Sequence, residues 1–303
     1  MTAKIELIVA TELGFCMGVR RSIDMALSVR QQSDGNVTIL NELVHNCDVI
    51  DSISKAGIGQ AFDINDVPPG KLILSAHGVP RKTLEQANAR GLDVIDTTCP
   101  LVTKVHQLVE KLIDDGYHIF VYGDPDHDEI RGIFGHGDSR KMTLIKSDSD
   151  LPETMPDRCA LISQTTQNVD DFKNLSDTLR SRFPNIQIHN TICNPTRQRQ
   201  AAAIELAQRC EFVYVIGSSS SANSKRLVEI TGGICGRSML IESPDQINTA
   251  QLEDVGTVGL TAGASSPDSL IAAAIKRLCE LFDVDIVTSN PRFTRIATEA
   301  GGQ

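Results

Sequence analysis

The segment Asp96-Thr97-Thr98-Cys99-Pro100-Leu101-Val102-Thr103-Lys104-Val105-His106 joins a predicted strand to a predicted helix. The run Gly91-Leu92-Asp93-Val94-Ile95 predicts a short buried strand, and apolar residues recur at helical spacing over residues 101–112. Cys99 therefore lies at a strand-to-helix turn, with Pro100 at the first helical position, where its missing N–H costs nothing. A thiolate there is stabilised by the helix dipole, which suits metal ligation or nucleophilic chemistry. For one isolated cysteine, a small inert turn residue is the alternative.

The same arrangement occurs at Cys16 and Cys193. The three cysteines are separated by 83 and 94 residues, close to the length of one small α/β domain each. We therefore expect three similar units in series, each contributing one thiolate to a common centre. The predicted domains and the tail that follows them are residues 1–98, 99–192, 193–283 and 284–303.

Strand-like and amphipathic helical runs alternate along almost the whole sequence. This alternation predicts an α/β fold with parallel sheets covered by helices. In such sheets, ligands bind beyond the carboxyl ends of the strands. Most of the polar residues considered below follow predicted strands directly.

Composition restricts the function. The 303 residues include 41% hydrophobic residues, and no segment approaches the apolar length that crosses a bilayer. The N-terminal residues show no apolar signal region, so we expect a cytoplasmic protein without membrane association. The net charge of −10 argues against nucleic-acid binding, but it allows a small anionic ligand in a locally positive pocket.

Three thiolates without a fourth equivalent cysteine leave two metal hypotheses. Zinc takes three cysteines plus a histidine or water, and an iron–sulfur cluster can leave one iron without a protein ligand. Structural zinc sites usually draw ligands from short local knuckles, whereas these cysteines lie far apart in the sequence. This favours a cluster, with zinc or no metal as alternatives.

Polar residues after the strands indicate an anionic ligand. His45, His77 and His127 all follow predicted strands, and the segments 217–224 and 261–265 supply hydroxyls and backbone amides at helix N-termini. Phosphate is bound by such groups, so we expect a diphosphate pocket. Glu129 is the candidate proton donor, because a carboxyl group near a buried phosphate should have a raised pKa.

Several motifs together resemble one known family, that of the 4-hydroxy-3-methylbut-2-enyl diphosphate reductases. They are Gly14-Phe15-Cys16-Met17-Gly18-Val19, Val44-His45-Asn46, Ser75-Ala76-His77-Gly78-Val79, Asp96-Thr97-Thr98-Cys99-Pro100, His127-Asp128-Glu129, Gln164-Thr165-Thr166, Ile192-Cys193, Asn223-Ser224 with Arg226-Leu227, and Thr261-Ala262-Gly263-Ala264-Ser265.

The resemblance implies a pseudo-threefold trefoil of three α/β domains around a [4Fe–4S] cluster. The cluster would be held by Cys16, Cys99 and Cys193, with the substrate hydroxyl at the fourth iron. The resemblance assigns the diphosphate to His45, His77, His127, Ser221, Asn223 and Ser265. It assigns Glu129 and Thr165 to the proton path. Two electrons from a ferredoxin or flavodoxin, with two protons, would convert the substrate to isopentenyl and dimethylallyl diphosphates and water.

The chain departs from the family pattern at several positions. Ala222 replaces a serine, Asp128 replaces a proline, and Asp124 replaces a histidine. Asn194-Pro195 begins a divergent segment after the third cysteine. Two alternatives follow: a paralogue with the same cluster and another anionic substrate, or a non-catalytic cluster- or zinc-binding sensor.

Overall fold

The computed structural model describes residues 4–293, which form two compact units. The first unit comprises residues 4–16, 45–47 and 194–293 of this range, and the second comprises residues 17–44 and 48–193. No helix in the described range is both long and apolar enough to cross a membrane.

The strands and helices alternate along the chain. In chain order, the strands are β1 (Lys4–Val9), β2 (Val37–Leu40), β3 (Gly59–Ala61), β4 (Lys71–Leu74), β5 (Asp93–Asp96), β6 (His118–Tyr122), β7 (Met142–Ile145), β8 (Cys159–Ser163), β9 (Gln187–Ile188), β10 (Phe212–Ile216), β11 (Ser238–Ile241), β12 (Thr257–Ala262) and β13 (Asp283–Val287). The helices are α1 (Met17–Gln31), α2 (Cys47–Lys55), α3 (Arg81–Ala89), α4 (Pro100–Asp114), α5 (Asp128–Gly135), α6 (Val169–Arg182), α7 (Asn194–Ala207), α8 (Ala222–Cys235) and α9 (Asp268–Leu281).

The first unit is built on a five-stranded parallel sheet with the order β11-β10-β12-β1-β13. Its inner strand β10 is buried along its whole length, as expected for a parallel sheet covered on both faces. Apolar residues of α7 and α9, such as Leu206 and Leu278, pack in the same core.

The second unit contains two four-stranded parallel sheets, with the orders β3-β2-β4-β5 and β7-β6-β8-β9. Helix α4 connects the two sheets and packs Val105 and Val109 against β6 and β8 of the second one. These apolar positions are the helical repeat that follows Cys99 in the sequence.

The prediction of three parallel-sheet α/β units is confirmed. The proposed boundaries at 98/99, 192/193 and 283/284 stay a prediction, and β1 pairs with β12 and β13. Strand β13 extends to residue 287, within the segment predicted to be a tail, and the remaining tail residues 294–303 lie outside the described range. Strands β3, β11 and β13 were not expected from the sequence.

Candidate active site

Each of the three predicted ligand cysteines lies directly before a helix. Cys16 precedes α1, Cys99 is the N-cap of α4, and Cys193 precedes α7. All three are half-buried. Each thiol therefore lies beside the unsatisfied backbone amides of a first helical turn. The role of these cysteines as cluster ligands stays a prediction.

The backbone N–H of each cysteine is hydrogen-bonded to a loop that carries another predicted site residue. The three N–H groups donate from Cys16 to the Ala264 carbonyl (3.1 Å), from Cys99 to the Ala76 carbonyl (3.0 Å) and from Cys193 to the Thr165 carbonyl (3.0 Å). Ala264 and Ala76 directly precede Ser265 and His77. Each thiol-bearing turn is therefore fixed relative to a second loop at the carboxyl end of a strand.

Glu129 is a buried carboxyl group held by Thr165. It is the second residue of α5, and only 1% of it is exposed. The Thr165 backbone N–H donates to Glu129 Oε1 at 2.6 Å, and the Thr165 hydroxyl donates to Oε2 at 2.8 Å. Thr165 lies two residues after β8, so the contact joins the start of a helix to the end of a strand.

Burial decides the proton affinity of this carboxyl group. It raises the pKa of Glu129 to about 7, and the negative charge of Asp124 acts in the same direction. The two Thr165 hydrogen bonds stabilise the carboxylate and oppose this shift of the pKa. Glu129 therefore both holds and releases a proton near neutral pH, as a general acid requires.

Two of the predicted histidines, His77 and His127, lie edge to face in the second unit. Their ring centroids are 5.5 Å apart at an interplanar angle of 89°. His127 is the N-cap of α5, and its Nδ1 accepts the backbone N–H of Glu129 at 3.1 Å. Since Nδ1 accepts, the neutral His127 ring carries its proton at Nε2, which can donate to an anionic ligand.

In the first unit, the N-terminus of α8 presents buried polar groups without protein partners. The Ser221 hydroxyl caps this helix by accepting the Ser224 backbone N–H at 3.3 Å. Within residues 4–293, neither polar atom of the Asn223 side chain has a hydrogen-bond partner, and neither do the hydroxyls of Ser224 and Thr261. Such groups are costly to bury, so a polar ligand at this helix end would satisfy them.

Ser265 and His45 are also joined within the first unit. The Ser265 hydroxyl donates to the His45 backbone carbonyl at 3.0 Å, across 220 positions of sequence. This bond fixes the loop that follows β12 against the segment that follows β2. The His45 ring is half-buried.

The predicted site residues are divided between the two units. The first unit holds Cys16, His45, Ser221, Asn223 and Ser265, and the second holds His77, Cys99, His127, Glu129, Thr165 and Cys193.

Two of the departures from the family pattern, Asp128 and Asp124, have hydrogen-bond partners close by. Asp128 Oδ1 accepts a hydrogen bond from Arg131 at 2.8 Å, so the extra carboxylate is paired on its own helix. The Asp124 carboxylate accepts from Gln167 Nε2 at 3.0 Å. Ala222 is the first residue of α8, where a serine would add a hydroxyl beside Asn223.

Sequence reasoning missed a buried arginine on α7. Arg199 is 4% exposed, and its guanidinium donates to the carbonyls of Gly14 at 2.6 Å and Pro195 at 3.0 Å. It therefore joins the turn before Cys16 to the first turn of α7. The available signal was its spacing, because Arg199 shares one face of the helix with Ala203 and Leu206.

Comparison with known proteins shows the family. A sequence model of the LytB protein family matches residues 7–279. A 4-hydroxy-3-methylbut-2-enyl diphosphate reductase from Neisseria meningitidis is 38% identical over 271 residues, covering 88% of this chain and 84% of the relative. One of the same name from Anaeromyxobacter is 36% identical over 264 residues, covering 87% of this chain and 95% of the relative.

A solved structure of a similarly named enzyme has a similar fold. The E-1-hydroxy-2-methyl-but-2-enyl-4-diphosphate reductase of Plasmodium falciparum has a TM-score of 0.89 at 28% identity, covering 98% of this chain and 99% of that one. The fold and these matches define an α/β oxidoreductase, as the sequence predicted. More narrowly, the chain belongs to the LytB family.

Proposed function

We propose that this chain reductively removes the hydroxyl group of 4-hydroxy-3-methylbut-2-enyl diphosphate. The C–O bond breaks, a C–H bond forms, and two electrons and two protons convert the substrate to isopentenyl or dimethylallyl diphosphate and water. The names of the relatives supply the substrate. The structural observation that carries the proposal is the buried Glu129 carboxyl group held by Thr165.

We infer that Cys16, Cys99 and Cys193 hold a [4Fe–4S] cluster. Half-buried thiols at three helix N-termini fit this group, because cysteine thiolates are the usual protein ligands of iron–sulfur clusters. When bound, the cluster supplies electrons and, at an iron without a protein ligand, a Lewis acid for the substrate hydroxyl. A ferredoxin or flavodoxin is the proposed electron donor.

The diphosphate is assigned to the six polar residues named from the family resemblance. Support comes from the partnerless amide of Asn223 at the N-terminus of α8, where the helix dipole also favours an anion. Further support comes from the Nε2–H that His127 offers when its Nδ1 caps α5. Both features supply hydrogen-bond donors, as a diphosphate requires.

Glu129 supplies a proton to the substrate in this proposal, and Thr165 orients it. The two Thr165 hydrogen bonds fix both oxygens of the carboxyl group, so the proton is presented in one geometry. Complete burial keeps bulk water from exchanging with the carboxyl group directly. The pKa of about 7 allows the group to be reprotonated between turnovers at neutral pH.

The decisive assay is oxidation of a reduced viologen dye that depends on the hydroxylated C5 diphosphate. The protein is purified anaerobically, and iron and sulfide are measured to separate a cluster from zinc. Cys99→Ser should lose iron and activity, whereas the matched Cys235→Ser, at another half-buried cysteine, should keep both. An intact cluster without substrate-dependent turnover would refute the proposed substrate.

One observation favours a second candidate, a paralogue with the same cluster and another anionic substrate. Ala222 lacks the hydroxyl of a serine at the helix end where, among the described residues, the buried Asn223 amide and Ser224 hydroxyl have no hydrogen-bond partner. In the same viologen assay, other allylic diphosphates and monophosphates are compared with the C5 diphosphate. A higher kcat/KM for one of them would favour the paralogue.

A further inference from the structure

A stacked pair of histidines lies outside the residues assigned above. His106 on α4 and His136 at the end of α5 have ring centroids 4.0 Å apart and planes inclined by only 16°. His106 is 5% exposed, and its Nε2 has no hydrogen-bond partner within the described residues. Burying an unsatisfied ring nitrogen is unfavourable. A hydrogen bond from Nε2 therefore does not explain why the His106 ring is buried at this position.

His106 is packed against the backbones of two glycines. A Cβ added to Gly78 would lie 2.6 Å from His106 Cε1, and one added to Gly132 would lie 3.2 Å from Nε2. Gly78 has a φ of +76°, a conformation that glycine adopts readily, and it directly follows His77. Gly132 lies on α5, the helix that His127 caps. The His106 ring therefore packs against both the loop that carries His77 and the helix that His127 caps.

His136 hydrogen-bonds the same loop. Its Nε2 lies 3.2 Å from the Val79 carbonyl, which can only accept, so Nε2 donates this hydrogen bond. Its Nδ1 lies 2.9 Å from Glu110 Oε1, and Arg81 donates to the same oxygen at 2.5 Å. The His136 ring is thus fixed on both edges while its face rests on His106.

Burial, together with the neighbouring His136, keeps His106 neutral. Burial, followed by the neighbouring His136, lowers the pKa of His106 to about 4, although Glu110 and Asp96 act in the opposite direction. A neutral ring packs against backbone without the cost of burying a charge. This agrees with a packing role for His106 and a hydrogen-bonding role for His136.

We propose that His106 and His136 are positioning residues that hold His77 beside His127 for binding the diphosphate. The inference rests on the proposed function, in which both of these histidines bind the substrate. The pair sets the separation between the loop 77–79 and helix α5, and the 5.5 Å approach of the His77 and His127 rings follows from it.

The test titrates the anaerobic cluster-loaded enzyme with inorganic pyrophosphate by calorimetry. His136→Phe keeps a stacking ring but loses both hydrogen bonds. We expect it to weaken pyrophosphate binding about five- to tenfold, the usual effect of losing one hydrogen bond, here the one that joins His136 to the loop of His77. His136→Gln retains a donor for the Val79 carbonyl and should recover most of the affinity. His118→Phe, at a half-buried histidine bonded to Thr143, is the matched control and should bind normally.

Gly132→Ala tests the packing contact independently. Its methyl group would press on His106 Nε2, whereas Gly233→Ala, in helix α8, has open space around the added methyl group. We expect Gly132→Ala to raise the KM for substrate severalfold with kcat nearly unchanged, because Glu129 and Thr165 are not touched. Equal iron content and equal thermal midpoints would show that each variant is folded.

The possible outcomes are distinct. Wild-type affinity for pyrophosphate in both His136→Phe and Gly132→Ala would overturn the inference and leave the proposed function intact. An equal loss of kcat and kcat/KM without a change in KM would also overturn it. A fully loaded wild-type enzyme that neither binds pyrophosphate nor turns over the C5 diphosphate would overturn both.

Discussion

Replacing Glu129 by glutamine should make the protein more stable at alkaline pH and nearly inactive. Glutamine has the same shape, and its amide oxygen can accept the Thr165 backbone N–H that Glu129 accepts at 2.6 Å. It carries no proton that it could donate to the substrate. General acid catalysis contributes typically 10²- to 10⁴-fold, so we expect turnover to fall by about a hundredfold or more.

The size of the stability effect follows from the pKa of Glu129. Burial raises this pKa from 4.5 to about 7, which corresponds to about 3 kcal/mol at 1.36 kcal/mol per pKa unit. Because the folded pKa is the higher one, the stabilising contribution is complete below about pH 4.5 and is lost as pH rises through about 7. Glutamine has no charged form and does not incur this loss. The advantage of Glu129→Gln should therefore grow from near zero at pH 4.5 to about 3 kcal/mol at pH 8.5.

The assay is anaerobic denaturant unfolding of wild-type enzyme and Glu129→Gln from pH 4.5 to 8.5, with iron content measured on every sample. Glu280→Gln, at a half-exposed carboxylate on α9, controls for the substitution itself. Parallel stability curves for the wild type and Glu129→Gln would show that this carboxyl group is not held protonated by the fold. Full turnover of Glu129→Gln with an intact cluster would refute its role as proton donor.

Three further predictions use the same enzyme preparation. Thr165→Val removes the 2.8 Å hydrogen bond from the Thr165 hydroxyl to the Glu129 carboxylate, which should raise the pKa of Glu129. The alkaline limb of the pH profile of kcat/KM should then move to higher pH by about one to two pH units, and an unmoved limb would contradict this. Asp124→Asn removes a charge that raises the pKa of Glu129, so the same limb should shift to lower pH, while a shift upward would show that another group titrates. Ala222→Ser adds a hydroxyl at the start of α8 and should tighten pyrophosphate binding about two- to tenfold by calorimetry, whereas unchanged binding would mean that the existing donors already saturate the anion.

The sequence predicted the inner strands well and some edge strands poorly. Strand β6 is an apolar run after its first residue, the pattern expected of an inner strand of a parallel sheet. Strands β3, β11 and β13 lie at sheet edges, where burial makes weaker demands on the sequence. Residues 283–286 alternate acidic and apolar side chains for only four positions, and β3 is only Gly59-Gln60-Ala61. Segments this short contain too few residues for a period to identify a strand.

The positions of the candidate site residues could be predicted, but not their partners. Strand-to-helix turns are visible in the sequence, so Cys99, His127 and Thr165 could be placed at loop positions. The contacts between loops are not visible, because they join residues far apart in the chain. The bond from Thr165 to Glu129 spans 36 positions, and the bond between His136 and Val79 spans 57. Nothing in the local pattern identifies which loop meets which.

The backbone bonds of the three cysteines show how the proposed cluster ligands and the substrate residues depend on each other. Each cysteine N–H donates to a carbonyl at or beside Thr165, His77 or Ser265, so a change in one of these loops should displace a thiol as well as a substrate contact. Backbone bonds of this kind do not depend on which side chain the bonded residue carries. The departures at Ala222, Asp124 and Asp128 all lie outside the bonded positions. The chain can therefore vary these charges and hydroxyl groups while the backbone hydrogen bonds of the three thiol-bearing turns are kept.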